Sequence, residues 1–175
     1  MSVIGSNILA GASSQGGYVI EESLRFNSSE SSYLSRTFAT SGTGSAITFT
    51  FSAWVKRGKL GVLQTLIGAD QTSGTSCIFG FTSNNSLIFL VGGTNYRITN
   101  PVFRDPSAFY HVVFVWDSSN ATDANRCRIY VNGELQTYST SGSIGLNTPV
   151  AIGFAGRAVG IAADTPSAGA RNFFD

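Results

Sequence analysis

The sequence predicts an all-β protein, an antiparallel two-sheet jelly-roll sandwich. Short apolar or alternating segments recur roughly every ten residues, and clusters of Gly, Ser, Thr, Asn and Asp that favour turns separate them. No window shows the 3.6-residue period of an amphipathic helix. Of the 175 residues, 42% are hydrophobic, 13 of them Phe, and only 12% are charged. This composition predicts one packed core beneath a surface of Ser, Thr, Asn and Gly.

The strongest strand signals lie in the second half of the chain. The run YHVVFVW is apolar except for His111 and is rich in Val and aromatic residues, so it predicts a buried central strand. The run CRIYV, which begins at Cys127, alternates between apolar and polar residues, as in a sheet with one solvated face. Asn132 and Gly133 then favour a tight turn, because both tolerate positive φ. A third strand, ELQTY, is predicted to return as a hairpin.

The first half of the chain carries the clearest period-two pattern. In ITFTFSAWV, which begins at Ile47, alternate apolar residues form one face, while Trp54 lies among the polar residues of the other. Further strands are predicted for SLRFN at 23–27, SYLSR at 32–36, VLQTLIG at 62–68, CIFGF at 77–81, SLIFLV at 86–91, NYRI at 95–98 and PVAIGF at 149–154.

The chain divides into two predicted regions. Residues 1–17 are rich in Gly, Ser and Ala and predict an N-terminal arm or linker, and residues 18–175 form the predicted jelly-roll domain. A disordered tail and an arm that packs on a neighbouring subunit are equally compatible with the composition of the first region. The second interpretation rests on its apolar residues, Val3, Ile4, Ile8 and Leu9.

Charge and hydropathy argue against several classes of partner. The net charge is +1, and the densest basic cluster is Lys56, Arg57 and Lys59, so no nucleic-acid-binding surface is expected. No stretch approaches about 18 apolar residues, and no membrane insertion is expected. Cys77 and Cys127 lie within predicted strands, and two buried free thiols are favoured over a disulfide.

The sequence predicts that the protein is not an enzyme. His111 is the only histidine, and no nucleophile motif of the G-x-S-x-G type and no H-E-x-x-H motif accompanies it, so a structural role is favoured. A sugar-cleaving jelly roll needs two carboxylates across one cleft. The acidic residues of this chain are scattered, and no E-x-D or D-x-E spacing occurs on one strand.

The loop DSSNATDAN holds the candidate metal ligands, Asp117 and Asp123. Their carboxylates and the neighbouring Asn and Ser oxygens are ligands that calcium accepts. The favoured alternative is that Asp and Asn form Asx turns between two strands. No cofactor is therefore expected, and calcium is kept as the alternative.

Three aromatic residues are candidate glycan or interface residues. Trp54 is expected to be exposed, because it lies on the polar face of its strand, whereas Trp116 shares a face with Val112 and Phe114 and is expected in the core. Phe173 and Phe174 immediately precede the last residue, Asp175, with no predicted strand after them. We expect an exposed pair, which indicates either that the chain was cut or that another chain covers the pair.

Several segments carry a resemblance to a known family. SAWVKRG, DPSAFYHVVFVWD and RIYVNGEL are the strongest pieces of a match over about residues 18–154. They resemble the laminin-G-like, concanavalin-A-like jelly-roll domains of tailed-bacteriophage structural proteins. The resemblance implies a final strand beyond the AIG segment, where this sequence stops. A fragment of a longer protein is favoured over a strand supplied by another chain.

The resemblance also implies a function. Its members are binding or assembly modules, so we expect a non-enzymatic structural or attachment protein on the exterior of a phage virion. A tail fibre, a baseplate and a capsid decoration module are all compatible with it. The expected partners are other virion proteins and further copies of the chain, because a weakly charged surface is desolvated at low cost. The alternative is a lectin-like module that binds host surface glycans directly.

Overall fold

The computed structural model describes residues 23–38, 47–69, 77–152, 156–164 and 172–175. The predicted N-terminal arm lies outside these residues and stays a prediction. No helix in the described ranges is long and apolar enough to cross a membrane. The strands are β1 Leu34–Thr37, β2 Thr48–Val55, β3 Gln64–Ala69, β4 Cys77–Phe81, β5 Ser86–Val91, β6 Thr94–Val102, β7 Tyr110–Asp117, β8 Cys127–Val131, β9 Glu134–Leu135, β10 Tyr138–Ser141 and β11 Ala158–Ile161.

These strands form two antiparallel sheets, which confirms the predicted jelly-roll sandwich. The larger sheet has seven strands in the order β1-β11-β3-β4-β5-β6-β10, and the smaller has four in the order β2-β7-β8-β9. In the small sheet β2 pairs with β7 over all eight residues, from Thr48 opposite Asp117 to Val55 opposite Tyr110. This unbroken register places alternate side chains of β2 toward the large sheet.

Aromatic rings fill the space between the sheets. The ring of Phe114 lies 4.4 Å from Phe89, 4.8 Å from Phe79 and 5.3 Å from Phe49, measured between centroids. Trp116 is 1% exposed, which confirms its predicted core position. These contacts join both sheets into one hydrophobic core.

Both cysteines are free and fully buried, which confirms their prediction as thiols. Burial raises the pKa of Cys77 to about 12 and raises the pKa of Cys127 as well. Neither sulfur is therefore a reactive thiolate at neutral pH.

Two strand predictions are wrong, and one strand was not predicted. Residues 23–27 are not a strand and lead into a short 3-10 helix, Ser28–Glu30, where the Asn27 side chain accepts a hydrogen bond from the Ser29 amide. The segment predicted at 149–154 is irregular over 149–152, although Val150 and Ala151 are fully buried. The unpredicted strand is β11, which follows this segment and pairs with both β1 and β3.

The predicted hairpin is correct at its turn but not in its length. Asn132 and Gly133 have φ values of 51° and 85°, as a tight hairpin turn requires. The returning strand β9 has only two residues, and the chain then crosses to the large sheet, where β10 pairs with β6. The Tyr138 hydroxyl accepts a hydrogen bond from the Ile129 amide of β8 and so ties the crossing segment to the small sheet.

Candidate functional site

The small sheet has an outer face, which is the side turned away from the core. The register places the side chains of this face in cross-strand rows, and most of them remain partly or largely accessible. No carboxylate other than Asp117 belongs to the outer face of the described strands. The face consists of Thr48, Thr50, Ser52 and Trp54 from β2, His111, Val113, Val115 and Asp117 from β7, Arg128 and Tyr130 from β8, and Leu135 from β9.

One end of the outer face carries an exposed tryptophan held in place by its neighbours. Trp54 is 58% exposed and stacks on His111, with ring centroids 5.0 Å apart and planes inclined by 28°. The Ser52 hydroxyl lies 3.0 Å from His111 Nε2, at hydrogen-bonding distance. We call Ser52, Trp54 and His111 the Trp54 platform. Because the imidazole fixes the indole ring, little side-chain entropy is lost when a ligand stacks on it.

A second exposed aromatic group lies near this platform in the chain. Lys56 follows Trp54 by two residues, and its Nζ lies 5.5 Å from the ring centroid of Phe109, which is 60% exposed. Phe109 precedes His111 by two residues and lies just before β7 begins. This end of the sheet therefore combines aromatic surface with a cation and several hydroxyl groups, a mixture typical of binding sites for polar ligands.

The Ser52 hydroxyl and His111 Nε2 are as close as a nucleophile and its general base. The other groups of a hydrolytic site are not seen around them in the described residues. A hydrolytic serine needs a base that a third group orients, together with donors for the oxyanion. Within the described ranges no carboxylate hydrogen-bonds His111. What the described residues show at His111 is its stacking on Trp54 and its contact with Ser52.

Arg57 lies beneath the same end of the sandwich and is 1% exposed. Its guanidinium donates hydrogen bonds to Gln64 Oε1, Asn85 Oδ1 and the Phe103 carbonyl, and it lies 4.1 Å from the Phe81 ring centroid. Burial lowers the pKa of Arg57 to about 10, so the group stays charged at neutral pH. Arg57 thus anchors the segment that follows Trp54 and Lys56.

Asp117 accepts a hydrogen bond within its own loop, whereas Asp123 accepts one from a segment 21 residues further along the chain. Asp117 Oδ1 accepts from the Ser119 hydroxyl at 2.6 Å, and this bond is the main cause that lowers the pKa of Asp117. Asp123 Oδ1 accepts from the Ile144 amide at 2.9 Å, which likewise lowers its pKa. The described ranges contain no group of three His, Cys, Asp or Glu side chains placed to hold a metal ion. Calcium binding at this loop stays a prediction.

The prediction of an exposed aromatic pair at Phe173 and Phe174 is wrong. Phe174 is only 8% exposed, its amide donates to the Ala162 carbonyl at 2.7 Å, and its ring lies 6.4 Å from that of Phe81. Phe173 is partly buried, with its ring 5.9 Å from that of Tyr33. The core of the same chain covers Phe174, so no second chain is needed to bury it.

The surface formed by the described residues includes two shallow depressions. One, of ≈ 460 Å³, is on the outer face at the far end from Trp54, and the other, of ≈ 380 Å³, adjoins the Asn132 turn. Neither includes Trp54, which is 58% exposed. The first is lined by Thr48, Phe49, Thr50, Val115, Trp116, Asp117 and Ser119, and the second by Pro101, Phe103, Tyr110, Val131, Asn132, Glu134 and Gln136.

The two sheets and their strand order define a jelly-roll domain. A laminin-G-type family model, described as Concanavalin A-like lectin/glucanases superfamily, matches residues 27–169. The chain therefore belongs to this superfamily. A search of the curated proteins found no match.

Among solved structures, the chain is similar to the carbohydrate-binding module CBM40 of the IT-sialidase from Ruminococcus gnavus. The similarity covers 81% of this chain and 85% of that chain, with a TM-score of 0.52 and 14% sequence identity. At this identity the similarity shows a shared fold.

Proposed function

We propose that this chain is a non-catalytic carbohydrate-binding module and that the Trp54 platform is its glycan site. The observation that carries the proposal is Trp54 itself, which is 58% exposed yet fixed by stacking on His111. Membership of the concanavalin A-like lectin/glucanases superfamily and the fold shared with a carbohydrate-binding module support it.

The chemistry of the platform suits a sugar ring. The C–H groups on one face of a pyranose are apolar and stack on an indole ring, while its hydroxyl groups need hydrogen-bond partners at the ring edge. The Ser52 hydroxyl and the His111 imidazole lie beside the indole, and the exposed Thr50 hydroxyl follows one row further along β2. Apolar stacking and polar contacts are thus available together.

The distribution of acids supports a binding role rather than glycoside hydrolysis. Cleavage needs two carboxyl groups, about 5 to 10 Å apart, on either side of the bond. The single carboxylate of the described outer face, Asp117, lies in the row of Thr48, six residues along β2 from Trp54. At about 3.3 Å per residue this is about 20 Å from the platform.

A glycan array followed by calorimetry on the bound glycans tests this function. Wild-type protein is expected to bind a defined set of glycans, and Trp54→Ala is expected to weaken binding about 10- to 100-fold, or about 1.4 to 2.8 kcal/mol. Leu146→Ala is the matched control, because Leu146 is also 58% exposed but lies in a loop outside the outer face. Equal affinities of Trp54→Ala and wild-type protein would place the glycan site elsewhere.

A second candidate function is assembly on the exterior of a phage virion through contacts with other virion proteins. The observation that favours it is the exposed apolar surface next to strand β1, at one edge of the large sheet, where Tyr33 is 41% and Leu34 49% exposed. Mass spectrometry of purified virus particles, taken from the virus or host that encodes this chain, tests this role. Peptides of the chain are expected in the particles, and their absence would contradict a virion location.

A further inference from the structure

We propose that the depression of ≈ 380 Å³ beside the Asn132 turn, which we call the rim depression, is a second sugar subsite. Together with the Trp54 platform it binds one neutral oligosaccharide. This inference rests on the proposed glycan binding and deepens it, because it names the class of glycan that the site selects.

The rim depression lies at the same end of the small sheet as the Trp54 platform. Trp54 pairs with His111 across β2 and β7, and His111 in turn is hydrogen-bonded to Asn132, just beyond the end of β8. Trp54 and Asn132 are thus two strand spacings apart, or about 10 Å. A single sugar ring on Trp54 does not span this distance, whereas a chain of linked sugars does.

His111 connects the two parts of the site through separate groups. Its ring stacks on Trp54, whereas its amide donates to Asn132 Oδ1 at 2.9 Å and its carbonyl accepts from the Asn132 amide at 2.8 Å. The relative position of the platform and the depression is therefore fixed before a ligand binds. A site that is already ordered loses less entropy on binding than one that the ligand must order.

The lining of the rim depression combines aromatic surface with polar groups. The rings of Phe103 and Tyr110 meet edge to face, with centroids 5.4 Å apart and planes inclined by 78°. Asn132, Glu134 and Gln136 add polar side chains to the same lining. Ligand sites occupy about 300 to 1,000 Å³, and the rim depression lies near the lower limit, which suits one sugar ring.

Several polar atoms of this lining are available to a ligand. Asn132 Oδ1 accepts from His111, but no described residue accepts from Asn132 Nδ2. Gln136 Nε2 donates to the backbone carbonyl of Glu134 at 2.8 Å, which orients the amide and leaves Gln136 Oε1 as an acceptor. The Glu134 carboxylate has no donor among the described residues. Sugar hydroxyl groups both donate and accept, so they satisfy all three groups.

The charge of the rim depression favours a neutral sugar. Glu134 contributes a carboxylate, and no Lys, Arg or His is among the described residues that line the depression. Arg57 donates to the Phe103 carbonyl, but Arg57 is only 1% exposed and does not belong to the lining. A carboxylate or sulfate on the sugar would be repelled by Glu134. A hydroxyl group instead donates a charge-assisted hydrogen bond to it.

Calorimetry with glycans of increasing length tests the second subsite. The probes are mono-, di-, tri- and tetrasaccharides of neutral hexoses and N-acetylhexosamines, in the series to which the glycans bound on the array belong. The tetrasaccharide is expected to bind about tenfold more tightly than the monosaccharide, since only the longer glycan contacts both parts of the site. A tetrasaccharide that ends in a uronic acid is expected to bind more weakly than its neutral counterpart.

Glu134→Ala is expected to weaken binding of the tetrasaccharide about tenfold, the value of one hydrogen bond to a charged group, and to remove most of the dependence on length. Glu30→Ala is the matched control, because Glu30 is an equally exposed glutamate in the 3-10 helix outside both parts of the site. It is expected to bind like the wild-type protein. Glu134→Gln keeps the size of the side chain and is expected to reduce the preference for the neutral over the uronic end sugar.

The outcomes distinguish the subsite from the proposed function. Equal affinities for the monosaccharide and the tetrasaccharide, or a Glu134→Ala variant that keeps the wild-type affinity for the tetrasaccharide, would overturn the rim subsite. If Trp54→Ala still weakens all of these glycans, the proposed function stands without it. Tighter binding of the uronic acid would overturn the neutral class. Wild-type affinities of Trp54→Ala at every length would instead contradict the glycan site on the platform itself.

Discussion

Replacing Trp116 by alanine is expected to lower the free energy of unfolding by about 3 to 5 kcal/mol, the cost of deleting a large aromatic side chain from a packed core. Trp116 is 1% exposed, and its ring lies 5.1 Å from that of Phe89 across the two sheets. Since aromatic contacts hold the sheets together, the resulting cavity opens at their main interface. Urea denaturation followed by circular dichroism measures the loss.

Two control variants test whether the loss of stability comes from the buried position of the Trp116 ring. Trp116→Phe keeps an aromatic ring near Phe89 and removes an indole N–H that has no partner among the described residues, so a much smaller loss is expected. Trp54→Ala removes an exposed ring and is expected to cost under about 1 kcal/mol. A loss below 1 kcal/mol for Trp116→Ala would contradict the core position of this side chain.

Replacing Arg57 by methionine is expected to cost about 3 kcal/mol of stability. The change leaves Gln64 Oε1 and the Phe103 carbonyl without a donor among the described residues, whereas Asn85 Oδ1 still accepts from the Gly61 amide. Each unpaired buried group costs about 1 to 3 kcal/mol. The expected loss of stability is less than the sum of these costs. The methionine variant no longer buries a charge, so the folded state is relieved of the desolvation cost of that charge. The desolvation of that charge is what lowers the pKa of Arg57 to about 10.

Arg36→Met is the matched control for Arg57→Met. Arg36 also lies over a phenylalanine ring, that of Phe38, but it is exposed on β1. Substitution of an exposed residue of this kind changes the free energy of unfolding by about 0.5 kcal/mol or less. If both variants unfold at the same urea concentration, the buried hydrogen bonds of Arg57 contribute no net stability.

The sequence predicted the sandwich well where one physical pattern dominates. The alternation from Ile47 to Val55 was sufficient to assign the core face of β2, because a shift of one residue would expose every apolar side chain. The turn at Asn132 and Gly133 was predictable because only a few residue types accept positive φ.

The predictions failed where distant parts of the chain decide the structure. Residues 149–152 have a strand-like composition, yet they are buried as an irregular segment, while Ala158–Ile161 forms the strand between β1 and β3. Local propensity does not distinguish these two outcomes. The burial of Phe174 similarly depends on Phe81, far away in the sequence.

The candidate site was predictable only in part. The position of Trp54 on the polar face followed from the alternation of β2. Its stacking on His111 and the contact of His111 with Ser52 depend on the register between β2 and β7, which no local signal in the sequence specifies. Arg57 was missed as a buried residue, because its burial requires acceptors from three separate segments.

The most direct test of glycan binding at the Trp54 platform is a nuclear magnetic resonance titration of the two tryptophan indole N–H signals with a glycan identified on the array. The chain has two tryptophans, one 58% and one 1% exposed, and Trp54→Phe assigns their signals. The Trp54 signal is expected to shift with saturation, while the Trp116 signal stays in place. A glycan that binds to saturation without moving the Trp54 signal would contradict the proposed site.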